Sequence, residues 1–283
     1  MLVLGNIRVR SLTPRHLEVS WEVTSPFEDA LDYTIRVMRS ESEEGPYDYV
    51  SDAFEDKYLY IDSRVDLETR QHRRWYYKLE VTRKSSRAVA LYGPSDRAPR
   101  ADLVATELRR QAQLRFQKVA GRQCWLFPIR TFGQRCPTCY DRVTQDSQRT
   151  NCPTCYNTTY ARGFHTPIEV WMQFEPTAVK ADAAGGVRRE ANTSALAHMG
   201  YYPRVKKGDL LVEPENRRWI VDTVGNGERL RAIVRQDVYL MEIELGDVRF
   251  EVPVNYAALH TSDFANPFFF QPRMSPGEKV KWR

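Results

Sequence analysis

Two copies of one five-residue sequence, Cys-Pro-Thr-Cys-Tyr, begin at Cys136 and at Cys152. Each copy puts two thiols on one tight turn, the first at Cys136 and Cys139, the second at Cys152 and Cys155. Four thiolates brought together make a tetrahedral sulfur set, which suits Zn²⁺ better than other common ions. The twelve residues between Cys139 and Cys152 are enough for a hairpin or loop that returns the second pair to the first. The sequence therefore predicts a zinc ribbon with four cysteine ligands.

Disulfide bridges are the main alternative for these cysteines. They form in oxidising compartments, and the stretch Met1–Gly5 is too short and lacks the basic residues of a signal peptide. A fifth cysteine, Cys124, would stay unpaired; we expect it to be a half-buried thiol beside Trp125 and Phe127. A redox Cys-x-x-Cys pair normally has a βαβ context. Zinc is the prediction, with disulfide and redox chemistry left open, and a fourth thiolate fills the position that a catalytic zinc keeps open.

Residues 1–97 alternate apolar and polar side chains with the period of two that is typical of half-buried β-strands. Further strands are expected near residues 47–50 and 88–92. We predict an all-β sandwich for this part of the chain. The alternating apolar positions are Leu17, Val19, Trp21, Val23, Tyr33, Ile35, Val37, Trp75, Tyr77, Leu79 and Val81.

Three stretches of this region, 17–21 (Leu-x-Val-x-Trp), 33–37 (Tyr-x-Ile-x-Val) and 77–81 (Tyr-x-Leu-x-Val), resemble the fibronectin type III family. The resemblance implies that Trp21 fills the core and that the hydroxyl of Tyr77 makes the corner hydrogen bond to backbone. It also implies a module that displays or spaces surfaces and does not catalyse. Another seven-stranded sandwich is the alternative, and it leads to the same functional conclusion.

The remaining chain is predicted to hold a helix and two further β modules, so the fold class is mainly β and multi-domain. The helix runs from Asp102 to Ala120 and ends at Gly121. Its apolar face is predicted from Val104, Leu108, Ala112, Phe116 and Val119. The predicted parts are a linker and helix at 98–121, the zinc-ribbon module at 122–167, a small β-barrel at 168–256 with a long loop at 180–200 and a closing strand at 248–254, and an extended C-terminal arm at 257–283. A small sandwich is the alternative to the barrel.

Positive charge is concentrated in the middle of the chain. Residues 100–165 contain eleven Lys or Arg against four Asp or Glu, a net +7, whereas the whole chain carries +5. This excess fits a surface that contacts nucleic-acid phosphates through Arg135, Arg142 and Arg149. It fits equally well as compensation for the formal −2 charge of zinc with four thiolates. His165 is interpreted as a surface or packing histidine, since four thiolates complete the site.

The order of motifs after the helix is similar to that of tailed-bacteriophage virion proteins of the neck or head–tail connector type. It consists of a strand, Arg-Cys-Pro-x-Cys at 135–139, Cys-Pro-x-Cys-Tyr-x-Thr at 152–158, Gly163 and Pro167, then Gly-Asp-Leu-Leu-Val at 208–212 and Arg-Trp-Ile-Val at 218–221. The resemblance implies a structural zinc ion and a ring of identical copies. It further implies contacts with portal or adaptor and tail proteins, possible contact with packaged DNA, and a virion location after assembly in the host cytoplasm.

The leading hypothesis is accordingly a structural virion subunit. A nucleic-acid-binding zinc-ribbon protein and a baseplate or collar protein are the alternatives. We predict no enzymatic activity, because the sequence has no nucleophile elbow, no His-Glu-x-x-His and no phosphate-binding loop. Carboxylates converging from distant segments would be the remaining route to an enzyme. No apolar run approaches the ~20 residues of a membrane span.

Three consecutive phenylalanines, Phe268, Phe269 and Phe270, lie between Pro267 and Pro272 near the C-terminus. Prolines limit regular secondary structure on either side, so these rings cannot easily be buried locally. We expect them to dock on a partner subunit.

Overall fold

A computed structural model of the protein describes residues 1–13, 16–63, 65, 75–95, 103–176, 194–229 and 232–254. Several predictions concern residues outside these ranges: the linker with Asp102, the part of the 180–200 loop up to residue 193, and the C-terminal arm with Phe268, Phe269 and Phe270. The chain groups into two compact units. The first holds residues 1–107, 129–165 and 245–252, and the second is built chiefly from 108–128 and 166–244.

Two antiparallel sheets form the N-terminal part of the first unit, and we call them the sheet pair. One has the strand order β1-β2-β5 and the other β4-β3-β6-β7. Trp21, Tyr33 and Leu79 are among the buried side chains of a single core shared by both sheets. The strands are β1 (Leu4–Thr13), β2 (His16–Val23), β3 (Tyr33–Ser40), β4 (Asp48–Tyr49), β5 (Leu59–Asp62), β6 (Tyr76–Arg83) and β7 (Val89–Ser95).

The predicted strands of this region are present, and their alternation explains the core. In β2 the residues Leu17, Val19, Trp21 and Val23 are buried, as the period of two requires when one face of a sheet packs against another. Tyr77 in β6 is fully buried, but its hydroxyl donates to Oδ2 of Asp62 at 2.9 Å. A phenol has one hydrogen to donate, so the predicted corner bond from Tyr77 to backbone is replaced by a bond to a carboxylate.

The predicted helix is present as α1 (Leu103–Arg115), which continues through Phe116–Ala120 in π-helical geometry. It ends at Gly121, as predicted. The backbone of Gly121 lies so close to that of Phe116 that a side chain would not fit. A Cβ on Gly121 would stand 2.2 Å from the Phe116 carbonyl oxygen. No helix among the residues described is long and apolar enough to cross a membrane.

The predicted apolar face of the helix is correct at Phe116, which is buried, but wrong at three other positions. Val104, Leu108 and Val119 are exposed, whereas Ala105 and Gln113, which were not predicted to be buried, are buried. Polar side chains anchor the buried face: Arg109 Nε donates to the Ile233 carbonyl at 2.7 Å, and its guanidinium lies 4.4 Å from the centre of the Tyr201 ring. The stem of an arginine can pack like an apolar group when its charged end finds a partner.

A closed barrel forms the second unit, which confirms the predicted C-terminal barrel. Its strand order is β10-β13-β12-β11-β8-β9. Leu126, Met172, Val221 and Leu240 are among the side chains of its buried core. The strands are β8 (Arg122–Phe127), β9 (Ile168–Pro176), β10 (Ser194–Gly200), β11 (Leu210–Val212), β12 (Arg218–Arg229) and β13 (Ala232–Glu242).

Three segments of the barrel region differ from their predicted roles. Residues 122–127, placed by sequence in the zinc-ribbon module, are a barrel strand because they pair with β9 and β11. Residues 194–200, predicted as the end of a long loop, form β10, whose small alternating side chains Ala195 and Ala197 point into the core. The segment Val248–Glu251, predicted as a strand, is a 3-10 helix whose N-cap Asp247 accepts from the Arg249 amide at 2.8 Å.

Candidate metal centre

The four cysteines of the two Cys-Pro-Thr-Cys-Tyr copies converge on one point. Their Sγ atoms all lie within 4.8 Å of one another, and all four side chains are buried. The Sγ atoms of Cys136 and Cys152 are 3.9 Å apart, and those of Cys139 and Cys155 are 3.4 Å apart. Four sulfurs at about 2.3 Å from a tetrahedral zinc ion would be about 3.8 Å from each other. This set of thiols can therefore hold a metal ion.

Each copy of the motif folds into the same tight turn. The amide of Tyr140 donates to the carbonyl of Cys136 at 3.2 Å, and the amide of Tyr156 donates to the carbonyl of Cys152 at 2.8 Å. In the second turn, Cys152 also donates its amide to Oδ1 of Asn157 at 3.2 Å. The repeated sequence thus gives two turns closed by the same backbone hydrogen bond, and the sulfurs of both turns meet in one cluster.

A short two-stranded stem carries the two turns. The amide of Cys136 donates to the Thr159 carbonyl at 2.9 Å, and the amide of Ala161 donates to the Gln134 carbonyl at 2.9 Å. An antiparallel bridge between Ile129 and Phe164 lies at the other end of the stem. We call residues 129–165 the cysteine module.

The thiols differ in their affinity for protons. Burial raises the pKa of Cys152, but the backbone amides of Thr154 and Cys155 and the neighbouring thiols oppose this and bring its pKa to about 7. Burial is the largest cause that raises the pKa of Cys139 and of Cys155. At neutral pH the thiols with raised pKa are protonated unless a cation is present, so a metal ion bound here releases protons.

Gly163 fits closely against one of the cysteines. Its φ is +65°, and a Cβ there would stand 2.7 Å from the carbonyl oxygen of Cys155. We expect Gly163→Ala to destabilise the module, because an L-residue at this φ costs about 1–2 kcal/mol and the methyl group would also displace the Cys155 backbone. A lower melting temperature together with weaker zinc binding, measured by chelator competition, is the expected result.

Gly45→Ala is the matched control for this substitution. Gly45 also has a positive φ, +105°, but its nearest neighbour is the side chain of Tyr47 in the sheet pair. The control should lower the melting temperature without changing zinc affinity. Equal loss of zinc affinity in both variants would contradict the assigned contact between Gly163 and Cys155.

The three arginines predicted to contact nucleic acid have different surroundings. The guanidinium of Arg135 lies between two rings, 4.8 Å from the centre of Tyr140 and 4.2 Å from that of Tyr160. Arg142 stacks over the ring of Phe27 at 4.3 Å. Arg149 is exposed. Arg135 is thus held inside the cysteine module, while Arg142 and Arg149 have exposed side chains.

The structure also places His165 and Cys124. His165 is a packing residue, buried against Tyr58 and Phe132 with ring centres 4.2 and 5.3 Å away. Cys124 lies in the barrel core and not in the metal cluster. It is 0% exposed, where a half-buried thiol was expected. Burial raises the pKa of the Cys124 thiol, and the charge of Glu213 adds to the effect.

Two arginines of the module make contacts that sequence reasoning missed. Arg130 forms a bidentate pair with Asp56, with Nη1 to Oδ1 at 2.9 Å and Nη2 to Oδ2 at 2.5 Å. Arg162 pairs with Asp29 at 3.0 Å and with Asp56 at 3.5 Å. In the sequence these were two of many scattered arginines, and no local pattern connects them with acidic residues so far away along the chain.

Neither a family model nor a curated protein nor a solved structure matches this chain.

Proposed function

We propose that Cys136, Cys139, Cys152 and Cys155 bind one Zn²⁺ ion with a structural role. The observation that carries the proposal is the composition of the module's core. Around the two turns, the buried cluster consists of the four cysteines, with Tyr140 packed against it. Modules this small rarely fold on apolar burial alone and need a metal or disulfides. Four thiolates complete a tetrahedral site, so no position is open to a substrate.

The whole chain is proposed to be a ring-forming subunit of a tailed-phage neck or head–tail connector. Support comes from the order of its parts: a two-sheet module, a helix, a cysteine module and a closed barrel. The strand orders β1-β2-β5 and β4-β3-β6-β7 support a fibronectin type III-like role for the first module as a display element. The C-terminal phenylalanines are proposed to dock on a neighbouring copy or another virion protein. A structural protein of the baseplate or collar is the alternative within the same class of virion proteins.

Nucleic-acid binding through the module is the competing proposal. The surroundings of Arg135 argue against this proposal. Its guanidinium lies over the rings of Tyr140 and Tyr160 and donates to the hydroxyl of Thr159 at 3.1 Å. A phosphate contact would have to replace these partners. Arg142 and Arg149 alone give few phosphate contacts, and salt-dependent affinity grows with their number.

Assembly and DNA binding together test the proposed function. We expect the zinc-loaded protein to form closed rings of one size in electron microscopy and native mass spectrometry. DNA binding at low salt should be absent, or equal in the Arg142→Ala/Arg149→Ala variant and in an Arg8→Ala control, whose side chain is exposed on β1. A protein that stays monomeric and loses salt-sensitive DNA affinity only in the double variant would contradict the ring proposal and favour the nucleic-acid one.

A further inference from the structure

Two arginines of the cysteine module form ion pairs with acidic side chains of the N-terminal part that contains the sheet pair. Asp56 accepts both terminal nitrogens of Arg130, and Arg162 approaches the same carboxylate at 3.5 Å. The side chains of Arg130 and Asp56 are only 9% and 20% exposed. Bidentate pairs of this kind are geometrically specific, and removing one partner from a largely buried pair is costly because the other charge stays behind.

Backbone hydrogen bonds join the same two parts close to a cysteine. The amide of Gly133 donates to the Val23 carbonyl at 3.2 Å, and the amide of Arg135 donates to the Pro26 carbonyl at 2.9 Å. Arg135 immediately precedes Cys136. The end of β2 and the chain after it are therefore hydrogen bonded to the stem one residue away from a sulfur ligand.

The arginines are themselves positioned by the stem that the cysteines close. Arg130 Nε donates to the Phe164 carbonyl at 3.0 Å. Arg162 and Gly163 are consecutive residues with left-handed φ values of 66° and 65°, and Gly163 lies against the Cys155 carbonyl. A change in the geometry of the sulfur cluster would thus move both guanidinium groups relative to Asp56.

Asp56 is itself held in an uncommon conformation. Its φ is 49°, a left-handed value that Asp tolerates but that needs support from its surroundings. We infer that Asp56 couples the metal site to the sheet pair: metal binding by the cysteines positions Arg130 and Arg162 on Asp56, and Asp56 in turn increases metal affinity. The inference rests on the zinc binding proposed above. Coupling between two sites is reciprocal, so each side can be measured from the other.

Zinc affinity of the full chain tests the coupling from the Asp56 side. Asp56→Asn keeps the size of the side chain and tolerates the left-handed φ, but removes the charge. Glu55→Gln is the matched control, because Glu55 is the neighbouring residue and pairs with Lys84 at an exposed position. We expect Asp56→Asn to lower zinc affinity at least ~5-fold in chelator competition, and the control to leave it unchanged.

Hydrogen exchange tests the coupling from the metal side. It uses only the wild-type chain, so its result does not depend on whether a variant folds. The amide of Phe54 donates to the Ile35 carbonyl at 3.0 Å, and that of Trp21 to the Tyr58 carbonyl at 3.0 Å. Phe54 and Tyr58 each lie two residues from Asp56 in the chain. Removing zinc should speed exchange at these two amides. The amide of Arg83, which donates to the Ala88 carbonyl at 2.9 Å at the end of β6, should not change.

The outcomes separate this inference from the proposed function. A wild-type chain that binds no zinc contradicts the proposed function itself. Zinc bound with equal affinity by Asp56→Asn and Glu55→Gln, together with unchanged exchange at Phe54 and Trp21 after chelation, overturns the coupling and leaves the structural zinc intact. If Asp56→Asn does not fold, the exchange result in the wild-type chain decides alone.

Discussion

Replacing Cys155 by serine is expected to abolish zinc binding and to unfold the cysteine module while the barrel stays folded. The side chain of Cys155 is 0% exposed, and it belongs to the buried cluster of four cysteines in the module. A hydroxyl does not replace a thiolate as a zinc ligand. Structural zinc contributes about 10–16 kcal/mol to the folding of small metal-binding modules, far more than such a module gains from its own apolar contacts.

Two measurements check this prediction: the metal content of the protein and the local order of the cysteine module. Mass spectrometry of the metal-bound protein should find one zinc ion per wild-type chain and none in Cys155→Ser. NMR spectra should lose the dispersed signals of residues 129–165 in the variant and after chelation of the wild type. The signals of barrel residues such as Leu126 and Val221 should persist.

Cys124→Ala is the control for cysteine loss as such. Cys124 lies in the barrel core, so its replacement should lower the stability of the barrel and leave one zinc ion bound. Zinc retained by Cys155→Ser, or lost equally in both variants, would show that the four cysteines of the repeated motif are not the ligand set.

The sequence was sufficient to predict the cysteine cluster and most strands of the sheet pair, because both depend on local patterns. Each Cys-x-x-Cys pair forms on one turn, and its repetition identifies which thiols meet. Likewise, alternation in 17–23 and 77–81 directly reports which face of a strand is buried. Several short strands separated by turns indicated a small barrel or sandwich, but β8 and β10 were not predicted as strands of it.

Local patterns of this kind could not predict contacts between segments that are distant in the chain. Asp56 and Arg130 are separated by 74 positions in the chain, and neither has a local signature. The buried face of the helix was predicted incorrectly for a related reason. Apolar spacing pointed to Val104 and Leu108, but Arg109 donates to the carbonyl of Ile233, which is distant in the chain, and Gln113 is buried. Strand β10 was missed because Ala195 and Ala197 are too small to make the alternation conspicuous.

Asp62→Ala is expected to cost the sheet pair about 3–5 kcal/mol of unfolding free energy. The Asp62 side chain is fully buried, and it accepts hydrogen bonds from Arg39 Nη1 at 2.6 Å and from the Tyr77 hydroxyl at 2.9 Å. Alanine removes the carboxylate but leaves the guanidinium of Arg39, whose side chain is only 17% exposed. Urea unfolding of the zinc-loaded full chain, followed by signals from the sheet pair, gives the measurement.

Tyr77→Phe distinguishes the buried charge from the tyrosine hydrogen bond. It removes one hydroxyl and leaves the pair between Arg39 and Asp62 in place, so the expected loss is that of one hydrogen bond to a charged group, about 1.5–3 kcal/mol. In a corner of the fibronectin type III kind, the tyrosine hydroxyl would matter most and Asp62 would be secondary. The structure predicts the opposite order, because Asp62 neutralises a cation and also accepts from Tyr77. A larger loss in Tyr77→Phe than in Asp62→Ala would contradict this arrangement and restore the backbone corner bond as the main support of β6.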